Sequence, residues 1–243
     1  MRSFYLIGNP LSHSFSAAYF LDKFSNENIG DAVYNNFQLE DITKIRAWAL
    51  SNSYLVGFNV TIPYKQSIIP FLDDLDNVAR QACAVNTVKL VNRKLIGYNT
   101  DIVGFRNTLP IVPNANKRAL ILGTGGASKA VALVFEQLGI EVLFVSRDSR
   151  NANTIGYKHI SASLMETVEY IVNTTPLGTM PNDDIAPPFP FELLNNKHIC
   201  YDLVYNPLET IFMRKAKLQG ATVCNGLNML QAQAEASWQI WNN

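Results

Sequence analysis

The chain has 243 residues, 48 % hydrophobic and 16 % charged, enough for one large domain or two smaller ones with a substantial core. Twenty basic residues balance twenty acidic ones, which argues against nucleic acid or an anionic membrane surface as a partner. The apolar run in "MRSFYLIGNP" is too short for a signal peptide and no stretch spans a bilayer, while Cys83, Cys200 and Cys224 lack metal-ligand spacing, so the chain reads as a cytoplasmic protein with reduced, buried thiols.

In chain order, strand and helix alternate almost throughout. "SFYLIG" is a strand, followed through "NPLSHS" by the helix "SFSAAYFLDKF". "AVYNNFQL" is a second strand, and Asp41 caps the helix "ITKIRAWALS". "YLVGFNVTI" is a third strand, with a short helix from about Lys65 to Leu72 after it. "AVNTVKLV" and "KLIGYN" flank Asn92-Arg93 as a hairpin, and "TDIVGFRNTL" is a helix leading into the turn segment "PIVPNANK". A βαβ unit follows: strand "RALILG", helix "ASKAVALVFEQL" with Gly139 as its stop, and strand "EVLFVSR". "EYIVNTT", "HICYDLVY" and "ATVC" resemble buried parallel strands, and the helix "NMLQAQAEASWQIW" closes the chain. The change from hairpin-containing to parallel α/β near residue 101 marks the domain boundary.

One stretch of the third strand is unusual. In "FNVTIPYK", alternation sends Phe58, Val60 and Ile62 to one face and Asn59 and Thr61 to the other. Pro63 stops the strand and suits the first position of a helix, which leaves Lys65 in a first helical turn, where the helix dipole disfavours a cation. On composition alone Lys65 is a surface lysine, Asp101 a helix cap, Ser14 and Ser16 caps, Asn86 a turn residue and Gln233 a satisfied core amide. His13, His159 and His198 are scattered and suggest no zinc-type cluster.

The βαβ unit carries more. "LILGTGGASKA" places Gly123, Thr124, Gly125, Gly126 and Ala127 between a strand and a helix, the context in which a glycine-rich turn brings backbone N–H groups to a pyrophosphate. Ser128 replaces the third glycine of the common fingerprint and is small enough for close helix–strand packing. The second strand ends in Ser146 and Arg147, with Arg150 following, where an NAD site usually has an acid for the ribose hydroxyls. A guanidinium there forks onto a 2′-phosphate, so the cofactor is NADP; a shift in the loop would offer Asp148 to the ribose instead.

"SHSFS", "NVTIPYK", "AVNT", "YNTDIVGF", "GTGGAS", "YDLVYNP" and "NGLNMLQAQA", in that order and over nearly the whole chain, strongly resemble shikimate dehydrogenase. The resemblance implies an NADP-dependent, reversible reduction of 3-dehydroshikimate to shikimate in the chorismate and aromatic amino-acid pathway, by a monomer or homodimer. It implies an α/β fold with an N-terminal substrate domain (residues 1–100), a Rossmann-like NADP-binding domain (101–226) and a C-terminal helix (227–243) packing back on the substrate domain. Carried over, Lys65 and Asp101 are the catalytic pair, and Ser14 and Ser16 hold the substrate carboxylate, with Tyr205 near it. Thr61, Asn86, Asp101 and Gln233 match ring-hydroxyl contacts, while Gly123 to Ala127, Ser146 to Arg150, Leu203 and Gly226 fall on the cofactor side. The chain departs from the pattern at Ala17, where proline is usual, and at Leu203, where methionine is commoner.

The same resemblance explains Lys65. Reduction of a carbonyl leaves negative charge on oxygen that must receive a proton, which a lysine beside it can relay while Asp101 holds the ammonium. Two other functions fit these motifs: a quinate/shikimate dehydrogenase of broader substrate and NAD use, and a non-catalytic NADP-binding sensor.

Overall fold

The computed structural model describes residues 1–11, 15–110, 118–148 and 153–243. They divide into two units, Met1–Val103 with Gln231–Asn243, and Gly104–Leu230.

The first unit contains β1 (Arg2–Gly8), α1 (Phe15–Asn26), β2 (Ala32–Gln38), α2 (Ile45–Ser51), β3 (Leu55–Val60), α3 (Tyr64–Ser67), β4 (Asp74–Leu75), α4 (Asn77–Ala82), β5 (Thr87–Val91), β6 (Lys94–Tyr98) and the start of α5 (Asp101–Thr108). Its sheet runs β2-β1-β3-β5-β6-β4. β1 is parallel to β2 and β3, whereas β5 is antiparallel to β3 and β6. Asn92 and Arg93 form the two-residue turn of the β5–β6 hairpin, both at positive φ (49° and 62°), the backbone that matches the twist of such a hairpin.

The second unit contains β7 (Arg118–Leu122), α6 (Gly126–Gln137), β8 (Glu141–Val145), β9 (Thr154–Ile155), α7 (Ala162–Met165), β10 (Val168–Asn173), β11 (Ile199–Asp202), α8 (Ile211–Leu218) and β12 (Thr222–Cys224). Its six strands are all parallel in the order β12-β11-β10-β7-β8-β9. β10 is buried at every position, as a strand covered on both faces must be. The last helix, α9 (Leu227–Asn242), belongs to the first unit from Gln231 onward.

In the first unit Ile7, Phe58, Val60, Ile68, Val85 and Val88 pack on one side of the sheet. Phe4, Phe20, Phe24 and Trp241 form a second core between α1, β1 and α9. This second core changes the reading of β3. Asn59 is 5 % exposed, because α9 covers the face that alternation assigned to solvent. Ile62 lies beyond the last strand residue and is 63 % exposed, so it does not share the core face with Phe58 and Val60.

Pro63 is the cap before α3 rather than its first residue, and α3 is only four residues long, with a single 3-10 turn at Ile69–Phe71 after it. Lys65 therefore sits in the second position of one helical turn. Cys200 is buried and Cys224 half-buried, but Cys83 is exposed: it ends α4 in the left-handed conformation (φ 48°). Periodicity leaves β4, α4, β9, α7 and α8 unannounced, as all are short and α8 carries three basic residues, Arg214, Lys215 and Lys217.

Candidate active site

Three strand ends converge on Lys65 in the first unit. The Val85 N–H donates to the Lys65 carbonyl at 2.7 Å, the Val60 N–H to the Asn86 carbonyl at 2.8 Å, and the Asn86 N–H to the Tyr98 carbonyl at 3.1 Å. The backbone thereby brings the end of β3, the entry to β5 and the end of β6 together. Asp101 opens α5 three residues after β6, where its carboxylate also suits the positive end of the helix.

Lys65 Nζ donates to Asp101 Oδ2 at 2.6 Å, with side-chain exposures of 19 % and 8 %. Asp101 Oδ1 accepts from Asn86 Nδ2 at 2.9 Å. Asn86 in turn donates to Thr100 Oγ1 at 2.9 Å and accepts the Thr100 N–H at 2.7 Å, while Gln233 Oε1 lies 3.3 Å from its amide nitrogen. The carboxylate is thus held on both oxygens, and an ammonium with three donors has committed one of them to it.

Lys65, Asn86, Asp101 and Gln233 therefore form one cluster. Ser16 reaches the same region indirectly: it hydrogen-bonds the Tyr34 hydroxyl, which burial pushes above its usual range and this bond pulls the other way. The Thr61 N–H is anchored on the Ile7 carbonyl at 2.9 Å at the end of β3. Ser14, His13 and Arg150 lie outside the described residues.

The second unit presents the dinucleotide features. Gly123 has φ 109°, open to glycine, and a β-carbon there would come within 2.8 Å of Thr174 Oγ1. Thr174 follows β10, so this close approach lies between the ends of β7 and β10, where the strand order of the sheet reverses, the place a nucleotide occupies in such sheets. Gly125 caps α6 without a side-chain hydrogen bond, α6 has no acid in its first turn, and a β-carbon on Gly125 meets nothing within 4 Å. Thr124 is exposed beside it, and Gly126 and Ala127 begin the helix, so uncapped N–H groups are available for a pyrophosphate. Ser128 is fully buried and donates to the Gly125 carbonyl at 2.6 Å, which fits its place as the small packing residue.

After β8, Ser146 Oγ accepts the Asp148 N–H at 3.3 Å and Arg147 is exposed. After β11, the Leu203 N–H is fixed on the Asn173 carbonyl at 3.0 Å. Gly226 packs directly on the Leu203 backbone, leaving no room for a side chain. Tyr205 belongs to this loop and is half-buried, which raises its hydroxyl. Among the described residues no group of three metal-binding side chains occurs, and no helix is long and apolar enough to cross a membrane.

The residues that sequence reasoning passed over are polar partners inside apolar elements. Thr87 on β5 and Ser237 on α9 are hydrogen-bonded to each other and to Asn59, which alternation already puts on the polar face of β3. Asp202, at the end of β11, accepts from Asn173 Nδ2, the Val204 N–H and Thr210 Oγ1 at 2.9, 3.0 and 2.6 Å. Burial outweighs these three donors and pushes its carboxyl up to about 6. The only sequence signal was a buried-strand pattern interrupted by small polar residues.

The family model described as the shikimate dehydrogenase substrate binding domain matches residues 6–88. A shikimate dehydrogenase (NADP(+)) of Desulforamulus reducens is 35 % identical over 97 % of this chain and 88 % of its own. The chain belongs to the shikimate dehydrogenase family. Two solved shikimate dehydrogenases extend the likeness to the fold. One, in complex with NADP+, superposes with a TM-score of 0.87 at 32 % identity over 99 % of this chain and 90 % of that one. Another, from Thermus thermophilus and in complex with NADP(H) and shikimate, gives 0.83 at 30 % identity over 99 % and 93 %. The segment matching the shikimate dehydrogenase substrate domain lies wholly in the first unit and includes Ser16, Thr61, Lys65 and Asn86.

Proposed function

We propose that this chain catalyses the reversible, NADP-dependent reduction of 3-dehydroshikimate to shikimate. The observation that carries the reading is the Lys65–Asp101 contact at 2.6 Å, braced by Asn86. A carbonyl becoming an alcohol needs a proton on its oxygen, and Lys65 Nζ is the group that gives it, taking it back in the reverse direction. Asp101 keeps the ammonium oriented, and Asn86 keeps Asp101 oriented. Thr61, Asn86, Asp101 and Gln233 bind ring hydroxyls, Ser14 and Ser16 take the carboxylate, and Tyr205 lies near it. NADP, when bound, supplies or accepts the hydride. Its pyrophosphate falls to the turn from Gly123 to Ala127, its 2′-phosphate to Ser146, Arg147 and Arg150, and its nicotinamide to Leu203 and Gly226.

Residues 1–100 with 227–243 serve as the substrate domain and 101–226 as the NADP domain, in a cytoplasmic monomer or homodimer. The absence of an acid at the end of β8 before Asp148 supports NADP over NAD. The test is oxidation of shikimate with NADP+, followed by absorbance of the reduced cofactor, with quinate and NAD+ in parallel. The highest kcat/KM should belong to shikimate with NADP+. Tight NADPH binding without turnover would make the chain a sensor, and equal use of quinate or NAD+ would make it the broader enzyme.

A further inference from the structure

Behind the Lys65–Asp101 pair runs a buried chain of side chains whose hydrogen-bond polarity can be worked out. Asn59 Nδ2 lies 3.2 Å from the Asn86 carbonyl, 3.0 Å from Thr87 Oγ1 and 2.9 Å from Ser237 Oγ, and Asn59 Oδ1 is 2.8 Å from the Tyr34 hydroxyl. A carbonyl only accepts, so the edge of Asn59 facing Asn86 must be its NH2 group. Its Oδ1 then faces Tyr34, which must donate, and Ser16 is the donor in its own bond with Tyr34.

At the other end the Ser237 hydroxyl donates to the Gln233 carbonyl one turn back in α9, at 2.9 Å. Its oxygen is left to accept from Asn59 and from Thr87, whose hydroxyl is 2.8 Å away. With its one proton on Ser237, Thr87 Oγ1 accepts from Thr100 Oγ1 at 3.2 Å, and Thr100 is the residue that fixes the Asn86 amide against Asp101, its hydroxyl accepting from Asn86 Nδ2 and its N–H donating to Asn86 Oδ1. Thr87 and Ser237 are fully buried, and Asn59 is 5 % exposed. Buried polar groups of this kind are costly unless every one is paired, and paired they hold a single arrangement.

We infer that Thr87 and Asn59 are positioning residues for the reaction: they form the hydrogen-bonding hub that sets the Asn86 amide, and through it the Asp101 carboxylate that holds Lys65. Neither belongs to the predicted substrate contacts. The inference rests on the reading of Lys65 and Asp101 as the proton-transfer pair.

The test compares two substitutions of the fully buried Thr87. Thr87→Val keeps the volume and the branched β-carbon but deletes the hydroxyl, whereas Thr87→Ser keeps the hydroxyl and deletes the methyl. A packing role makes Ser the more damaging change, and a positioning role makes Val so. Shikimate oxidation by Thr87→Val should lose about five- to twentyfold in kcat with the KM for NADP+ within about twofold, while Thr87→Ser stays within about twofold of wild type in both. Crystal structures of the two variants provide a reading independent of substrate. The Asn86–Asp101 bond should persist in Thr87→Ser and open beyond about 3.5 Å in Thr87→Val, a limit for such bonds. A Thr87→Val protein that keeps both that bond and its kcat, or a Thr87→Ser protein as slow as Thr87→Val, would overturn the inference. Should wild type fail to oxidise shikimate, the substrate reading fails, and the bond in the two crystal structures still decides the role of Thr87.

Discussion

Asp101 and Asp202 are both almost wholly buried, yet the chain treats them differently. Asp101 faces a lysine and an amide. Among the described residues Asp202 has only neutral donors, and its carboxyl is pushed up to about 6 by burial. A carboxyl that keeps its proton to higher pH when folded than when unfolded favours the folded state at low pH. That contribution is complete below the unfolded value near pH 4 and is lost as the pH rises through about 6. The loss amounts to roughly 3 kcal/mol at most, from about two pH units at 1.36 kcal/mol each. Thermal unfolding of Asp202→Asn, which has no charge to bury, should therefore lack this decline. The Tm of wild type minus that of Asp202→Asn should be larger at pH 5 than at pH 8, and a constant difference would remove Asp202 from the pH dependence. Asp202→Ala leaves Asn173, Val204 and Thr210 without their acceptor, at a cost of about 1–3 kcal/mol for each group stranded. Cofactor choice is also a residue-scale matter. Arg147→Ala should weaken NADP by about 1.5–3 kcal/mol and NAD much less, since a charged hydrogen bond is lost only with the former. The check is kcat/KM for both cofactors, and a wild type that prefers NAD would point to Asp148 instead.

At the scale of elements, α9 does more than end the chain. Tyr19 and Lys23 of α1 both hold Glu235, Lys23 at 2.9 Å. Trp241 Nε1 crosses to the Val88 carbonyl of β5 at 3.0 Å, and Trp241 packs on Phe4 with ring centres 4.8 Å apart. Its path runs over Gly57 of β3, where a β-carbon would collide with the indole and with the Val88 carbonyl. Gly57→Ala should therefore displace Trp241 and destabilise the first unit by about 1–3 kcal/mol, the usual effect of overpacking. That corresponds to a fall in Tm of roughly 2–4 °C per kcal/mol; an unchanged Tm would mean that α9 adjusts without loss. The apolar spacing in "NMLQAQAEASWQIW" announces this helix, but not which sheet it covers. For the same reason "FNVTI" reads as half-buried: period-2 alternation records one apolar face and is silent about a polar face buried against Ser237. α3 was legible as a helix start at Pro63 but not as a single turn, because its end is set by the Val85 contact to the Lys65 carbonyl.

For the whole molecule, the strand–helix alternation with one hairpin at Asn92-Arg93 was enough to anticipate two α/β parts of different character. Strand order was not readable, since nothing local places β1 between β2 and β3, or β7 between β8 and β10. That order brings Gly123 beside Thr174 and Lys65 beside Asp101, residues 36 positions apart. The motif residues were legible because their side-chain chemistry stands out in their segments. The hub beneath them was not, because Thr87 and Ser237 are ordinary in a strand and a helix until the fold pairs them. The proposed chemistry stands on the pair at the surface of that hub. Its most direct test is Lys65→Ala, assayed for NADP-dependent shikimate oxidation together with the equilibrium affinities for shikimate and NADP+. A lysine that acts on charge developing in the transition state should take roughly 10²–10⁴-fold from kcat when removed, with both affinities nearly unchanged. A loss below about tenfold, or one confined to KM, would contradict the assignment of Lys65 as the proton-transfer group.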